Sequence, residues 1–300
     1  MRASFNAILM SIFTSFIFAD EKPYVVVLGI AQDDGSPHTN CERYCCKLMW
    51  KKGKKEKVSS IGIVDPRTRK SWIIDATPDY KYQSRTLSIE HRTELAGIFI
   101  THAHMGHYVG LLELGKEVTN TKNFPVFVMP RMKNFLENNG PWNQLVNQKN
   151  IELITLADGK EVKIGEQLFM EPFLVPHRDE LSETVGYRIM SDSTSIIYIP
   201  DIDKWEQNIY DVVLHTDFAL LDGTFYSQNE LPYRDISEIP HPLIIESMDL
   251  FQSLNTKNRR KIYFIHLNHS NPAIKEGRAA ANHIKSNGFN IARENLKLTL

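Results

Sequence analysis

Three histidines, His102, His104 and His107, fall within six residues directly after the apolar run 95–100, which reads as a buried strand. Neutral imidazole is the commonest metal-binding side chain, and a strand end holds it more rigidly than a free loop does. Packing does not readily account for three imidazoles at one strand exit; they point to a metal ion. Donors recur in comparable places. His177 follows the segment 167–175, Asp201 follows 195–199, and His266 and His269 follow 262–265. Four such clusters at the C-terminal ends of strands would gather on one edge of a fold. Nitrogen and carboxylate donors suit a borderline ion that lowers the pKa of a bound water to about 7, which is hydrolytic chemistry.

The elements that must position these residues are short and apolar. Strands are expected at 24–29, 60–64, 71–75, 95–100, 126–129, 151–156, 161–164, 167–175, 184–190, 195–199, 218–221 and 262–265. The pairs 60–64 with 71–75 and 184–190 with 195–199 read as hairpins, the first turning at Asp65-Pro66. Helices are expected from Thr77-Pro78-Asp79 to about residue 89, and over 108–118, 131–139, 242–254 and 273–286. Paired strands followed by mixed strand and helix units predict two sheets between helical layers. No internal repeat, low-complexity tract or long linker divides the chain.

Three hundred residues with 42% hydrophobic content can bury a sizeable core. A formal net charge of -1 and a pI near 6.8 give no electrostatic case for nucleic acid. The basic run 51–57 reads as a solvated loop. At the N-terminus, Arg2, the apolar stretch 7–18 and Ile17-Phe18-Ala19 predict a cleaved signal peptide over 1–19. The apolar run is short for a bilayer span, so stable membrane insertion is not expected. The rest, 20–300, is expected to form one domain that is secreted or periplasmic. Cys41, Cys45 and Cys46 lie in a turn-rich loop and leave two readings open. One is a disulfide with a thiol left over; the other is a structural zinc site that His38 could complete.

The run His102-Ala103-His104-Met105-Gly106-His107, followed by His177, Asp201 and His269, resembles the H-x-H-x-D-H signature and later donors of the metallo-β-lactamase fold superfamily. Asp75, in Ile73-Ile74-Asp75-Ala76, matches that superfamily's early aspartate, which supports the histidine loop. The stretches 28–35, 184–189, 222–225 and 271–272, with the cysteines, resemble the coenzyme PQQ synthesis protein B branch. The resemblance implies an α/β fold, an αββα sandwich of two mixed sheets flanked by helices. It places His102, His104 and His177 on one Zn2+ ion and His107 and His269 on a second, with Asp201 bridging. Gly106 stands where the signature has an aspartate, so the second ion is expected to bind weakly. Iron or manganese at the same donors is the alternative to zinc.

The stretch 220–225 resembles a His-Glu-Ala-Thr segment of tRNA-processing relatives, which implies proton transfer by Asp222, although Leu221 replaces the histidine. His266 is expected to orient a ligand or to pack in the strand exit. Tyr108, Arg178, Tyr226 and His38 fall near the expected site, and Arg178 suits a carboxylate or phosphate. The expected function is a metal-dependent hydrolase, with Asp201 and Asp222 catalytic, acting on an ester, lactone, amide or phosphodiester bond of a small molecule. The alternatives are an iron-dependent oxidoreductase of the PQQ synthesis protein B type and a non-catalytic metal-binding protein.

Overall fold

Alternation along the first strand sets the layering. In β1 (Tyr24–Gly29), Val25 and Val27 join one buried cluster while Val26 and Leu28 join another, as a period of two dictates. A computed structural model describes residues 21–230, 235, 238–275 and 278–300; the expected signal peptide lies outside the described residues. β1 belongs to a seven-stranded sheet with β2 (Ser60–Asp65), β3 (Lys70–Ile74), β4 (Glu94–Phe99), β5 (Phe124–Val128) and β6 (Ile151–Thr155). The second sheet, also seven-stranded, contains β7 (Val162–Gly165), β8 (Leu168–Leu174), β9 (Val185–Met190), β10 (Ser195–Ile199), β11 (Phe218–Asp222), β12 (Ile262–Ile265) and β13 (Asn290–Ile291). β14 (Lys297–Thr299) returns to pair with β1 in the first.

Both sheets are mixed. The first is antiparallel through β1, β2 and β3 and parallel from β3 to β6. The second is antiparallel from β7 to β10 and parallel from β10 to β13. They pack face to face: Phe99 meets Tyr187 edge-on at 5.5 Å, and the Tyr187 hydroxyl donates to Ile100 O at 2.7 Å. The helices Gln207–Leu214, Ile244–Phe251 and Ala279–Ser286 place Ile209, Val213, Met248, Phe251 and Ile284 against the second sheet. Met132, Leu136 and Leu145 cover the outer face of the first. This is the expected αββα sandwich of two mixed sheets flanked by helices.

Strand direction matters most for the site. β1, β3 and β4 run one way in the first sheet, and β8, β10, β11 and β12 run one way in the second. Val185 N donates to Thr101 O at 3.1 Å, joining the exits of the two sheets along one edge.

Several local expectations are corrected. The helix expected over 108–118 is a short helix, Met105–Tyr108, followed by a 3-10 turn, Val109–Leu114. Gly110 packs so tightly that a Cβ there would lie 2.3 Å from Thr77 O, which fixes the segment against the preceding loop. The helix expected to 89 changes to a π-turn at Thr86–Glu90. Cys45 and Cys46, expected in a loop, sit on a helix, Tyr44–Lys52, that also takes up the start of the basic run. The helix expected over 273–286 is a 3-10 turn, Pro272–Ile274, and a separate helix, Ala279–Ser286. The sequence reading did not include the helices Trp142–Asn147 and Gln207–Leu214.

Candidate metal centre

The histidine loop is held from beneath. Asp75, fully buried at the exit of β3, accepts from Thr101 N at 2.9 Å and Thr101 Oγ1 at 3.0 Å, and its other oxygen takes His107 Nδ1 at 2.7 Å. Such a bond fixes the imidazole tautomer and leaves Nε2 to face the site. The same device recurs around the edge. Thr101 Oγ1 lies 3.0 Å from His102 Nδ1, Asp203 Oδ1 lies 2.8 Å from His177 Nδ1, and Thr224 Oγ1 lies 3.1 Å from His266 Nδ1. Four rings from three strand exits, those of β4, β8 and β12, therefore present Nε2.

His104 Nδ1 lies 2.8 Å from His102 Nε2 and 3.2 Å from His177 Nε2. Nitrogens on a tetrahedral ion with bonds of about 2.0 Å would be about 3.3 Å apart, so these three match the face of such a site. Asp201, 3% exposed, stands at the centre of the edge. Its Oδ1 is 3.7 Å from His177 Nε2, and its Oδ2 is 3.2 Å from His107 Nε2 and 3.4 Å from His266 Nε2. Apart from these contacts with one another, His107 Nε2, Asp201 Oδ2 and His266 Nε2 are buried without a hydrogen-bond partner among the described residues. Buried polar atoms short of partners are costly, and two imidazole nitrogens within 3.4 Å of one carboxylate oxygen are a set that a cation would satisfy.

The electrostatics fit the same group. Burial would raise the Asp201 carboxyl, but His266 and His107 hold it well below the usual range. Burial, reinforced by His107, pushes His102 well down, and burial with His177 brings His104 to about 4. Ionised carboxylate and neutral imidazole are the forms that bind a metal. His107 differs: burial opposes its charge, yet Asp75 and Asp201 on either side hold it well above its ordinary value.

Of the six expected ligands, the structure brings together His102, His104, His107, His177 and Asp201. His269 is corrected. It sits with Cys41, Cys45 and Cys46, and the histidine after β12 that reaches Asp201 is His266, whose Nε2 lies 3.4 Å from Asp201 Oδ2. The reason is local. His266 directly follows β12 with φ of +60°, which turns the chain across the edge, and the next turn carries His269 away. His102, His177 and Asp201 lie within three residues of their strands, and that spacing is the signal that favours His266.

Asp222 is fully buried at the end of β11. Its oxygens are engaged by Thr224, by Ile202 N at 3.1 Å and by His241 Nδ1 at 2.8 Å. It is thereby tied to His241, which sequence reasoning missed because a lone His-Pro ahead of a helix carries no pattern. His241 Nδ1 is 3.9 Å from Asp201 Oδ1. Burial lowers its pKa, but Asp222 more than offsets this and leaves it raised. Tyr108, expected at the site, instead packs against Phe135 and Trp142. Tyr226 is bonded to His283, and Arg178 is exposed beside His177.

The cysteines form a second cluster. Cys41 Sγ and Cys45 Sγ are 3.9 Å apart, as are Cys45 Sγ and Cys46 Sγ, and all three are free. A disulfide needs about 2.0 Å, whereas thiolates on a tetrahedral zinc lie about 3.8 Å apart. The fourth donor of this group is His269, not His38, whose ring instead meets His269 edge-on at 4.6 Å. Burial, with the neighbouring thiols, pushes the Cys46 thiol up to about 12 when no ion replaces its proton.

Comparison with known proteins places this geometry in a family. Coenzyme PQQ synthesis protein B of Methylorubrum extorquens (strain PA1) is 22% identical, covering 92% of this chain and 100% of that protein. The protein of the same name from Ruegeria pomeroyi is 24% identical, covering 92% and 99%. Among solved structures, zinc-bound PqqB from Methylobacterium extorquens superposes with a TM-score of 0.79 at 20% identity, covering 92% of this chain and 100% of that one. A diphosphatase from the PhnP family follows the same fold, with a TM-score of 0.69, 19% identity and coverage of 93% and 97%. Residues 71–267, which span the histidine loop, His177, Asp201, Asp222 and His266, match the Beta-lactamase superfamily domain, and the chain belongs to that superfamily.

Proposed function

We propose that the protein is a divalent-metal hydrolase that cleaves an ester or phosphodiester bond in a small anionic molecule. The observation that carries this reading is the buried set His107 Nε2, Asp201 Oδ2 and His266 Nε2, which among the described residues meet only one another, beside the His102–His104–His177 triad. An ion held by these residues supplies Lewis acidity and an acidified water. The chain's own groups do the rest. Asp75, Thr101, Asp203 and Thr224 fix the ring orientations. Asp222 takes His241 Nδ1, so Nε2 is the nitrogen left to hand a proton to the departing oxygen. Arg178, exposed and next in sequence to His177, supports a substrate that carries negative charge. The solved relatives described as a PhnP-family diphosphatase and as human tRNase Z, short form, support bond cleavage at phosphorus.

A second reading, an iron-dependent oxidoreductase, is favoured by the curated relatives that share the PQQ synthesis protein B name over 92% of this chain. One experiment separates the two. Metal-free protein is reloaded with Zn2+, Mn2+ or Fe2+ and assayed on bis(p-nitrophenyl) phosphate, p-nitrophenyl acetate and a homoserine lactone, with oxygen uptake recorded. Hydrolysis that disappears in His102→Ala supports the first reading. Oxygen uptake with iron and no hydrolysis supports the second, and full loading with neither activity leaves a non-catalytic metal-binding protein.

A further inference from the structure

Gly106 leaves the histidine loop without the carboxylate that the superfamily signature places there. Its φ is not in the left-handed region, so turn geometry does not explain the glycine. Space does. A Cβ at Gly106 would lie 3.0 Å from Asp33 Cα, 3.3 Å from Asp33 Oδ1 and 3.4 Å from Asp33 O. The loop after β1 is therefore pressed against the position where the missing side chain would begin.

That loop is built to stay there. β1 runs in the same direction as β3 in its sheet, so its exit opens on the edge that carries the donors. Leu267 N donates to Ile30 O at 2.7 Å, and Gln32 N donates to Leu267 O at 3.0 Å. The loop is thus fastened to the residue that follows His266. Asp33 comes next, in the turn closed by Gly35 N donating to Gln32 O at 2.9 Å, at φ of +44°, which aspartate tolerates better than most residues. Its side chain is exposed, and its charge acts on both His241 and His266.

We infer that Asp33 supplies, from the loop after β1, the carboxylate that the histidine loop lacks at Gly106, and so completes the cation position faced by His107, His266 and Asp201. The inference rests on the reading of the edge as a metal centre. The second position then carries two carboxylates, Asp201 and Asp33, and is not a weakened version of the superfamily site. Gly106 is the glycine that lets Asp33 approach, so the two residues form one replacement.

The test uses Mn2+ as probe, because a hard ion favours oxygen and nitrogen donors and leaves the cysteine cluster aside. Metal-free protein is titrated with Mn2+, free ion is read by electron paramagnetic resonance, and a melting curve for each variant reports folding. Wild type is expected to take up two ions. Asp33→Asn is expected to keep the first and to bind the second about ten-fold more weakly or worse, since ligand charge tunes the affinity of such sites. Asp34→Asn, which removes the same charge one residue on, is expected to bind as wild type does. Asp33→Gly combined with Gly106→Asp moves the carboxylate back onto the histidine loop and is expected to regain the second ion. Unchanged binding in Asp33→Asn, or equal weakening in Asp34→Asn, overturns the inference. A wild type that takes up one ion overturns it while leaving the metal reading standing; a wild type that takes up none overturns both.

Discussion

Replacing Asp222 by asparagine tests the proton-donor arrangement most directly. The Asp222 carboxylate accepts from Ile202 N at 3.1 Å, Thr224 N at 2.9 Å, Thr224 Oγ1 at 2.7 Å and His241 Nδ1 at 2.8 Å. Asparagine offers one accepting oxygen and one donating nitrogen. In one orientation the amide NH2 faces Ile202 N–H and His241; in the other it faces Thr224 N–H. Either way a buried backbone donor meets another donor, at a cost of about 1–3 kcal/mol, and charge-assisted bonds are lost besides. A total of about 2–4 kcal/mol follows, seen as a melting temperature lower by about 3–10 °C. Activity should split by leaving group. His241 loses the carboxylate that raises its pKa and orients it, so hydrolysis of an alkyl phosphodiester is expected to fall about 100- to 10,000-fold. A p-nitrophenyl ester, whose leaving group departs without a proton at neutral pH, is expected to be hydrolysed at close to the wild-type rate. The assay compares kcat on the two substrates in wild type, Asp222→Asn and His241→Ala. Equal losses on both substrates would refute the assignment of His241 as the acid.

Three further outcomes are expected. His266→Ala should abolish hydrolysis while leaving one zinc per chain on the cysteines, whereas His269→Ala should retain hydrolysis and lose that zinc by elemental analysis; the reverse pattern would restore His269 to the hydrolytic centre. Metal-free protein should lose stability as the pH falls from about 6.5 towards 4, where the unfolded chain gains protons. Burial holds folded His104 and His269 to about 4, so they remain unprotonated through that window. His107 and His241, both held up, are protonated in either state there and contribute no slope. Melting curves in chelator at a series of pH values check this, and a flat profile would contradict it. Finally, we propose export: the apolar stretch 7–18 behind Arg2 implies that mature protein lacks residues 1–19, and mass spectrometry of the secreted or periplasmic fraction showing an intact N-terminus would reject it.

The strands were legible because each buried run is apolar and bounded by turn residues, and donors at their ends announced the edge. That is why His102, His104, His107, His177 and Asp201 could be named from letters alone. What could not be read depends on where loops travel after leaving the edge. His266 and His269 follow the same strand, and only the turn at His266 sends them to different clusters. His241 reaches the site from the segment ahead of the helix Ile244–Phe251, where neither periodicity nor spacing marks it. Asp33 is one of two adjacent aspartates in a loop, and its meaning depends on a glycine more than seventy residues away, with which it shares no sequence pattern. Local hydrophobic period predicts elements; it does not predict which loop fills the gap left by an absent side chain.

The turn after β12 leaves no residue idle. His266 faces Asp201, Leu267 fastens the loop after β1, and Asn268 holds Gln32 through its side chain and Thr224 O through its backbone. His269, the fourth in succession, joins the cysteines. Consecutive residues thus serve two separate clusters and the loop between them, so register here is as constrained as in a central strand. Length variation that other surface turns absorb has no outlet at this one. Inserting or deleting a single residue within 266–269 would shift all four partners at once and dismantle both clusters together, whereas a change of length in a turn remote from the edge would reach neither.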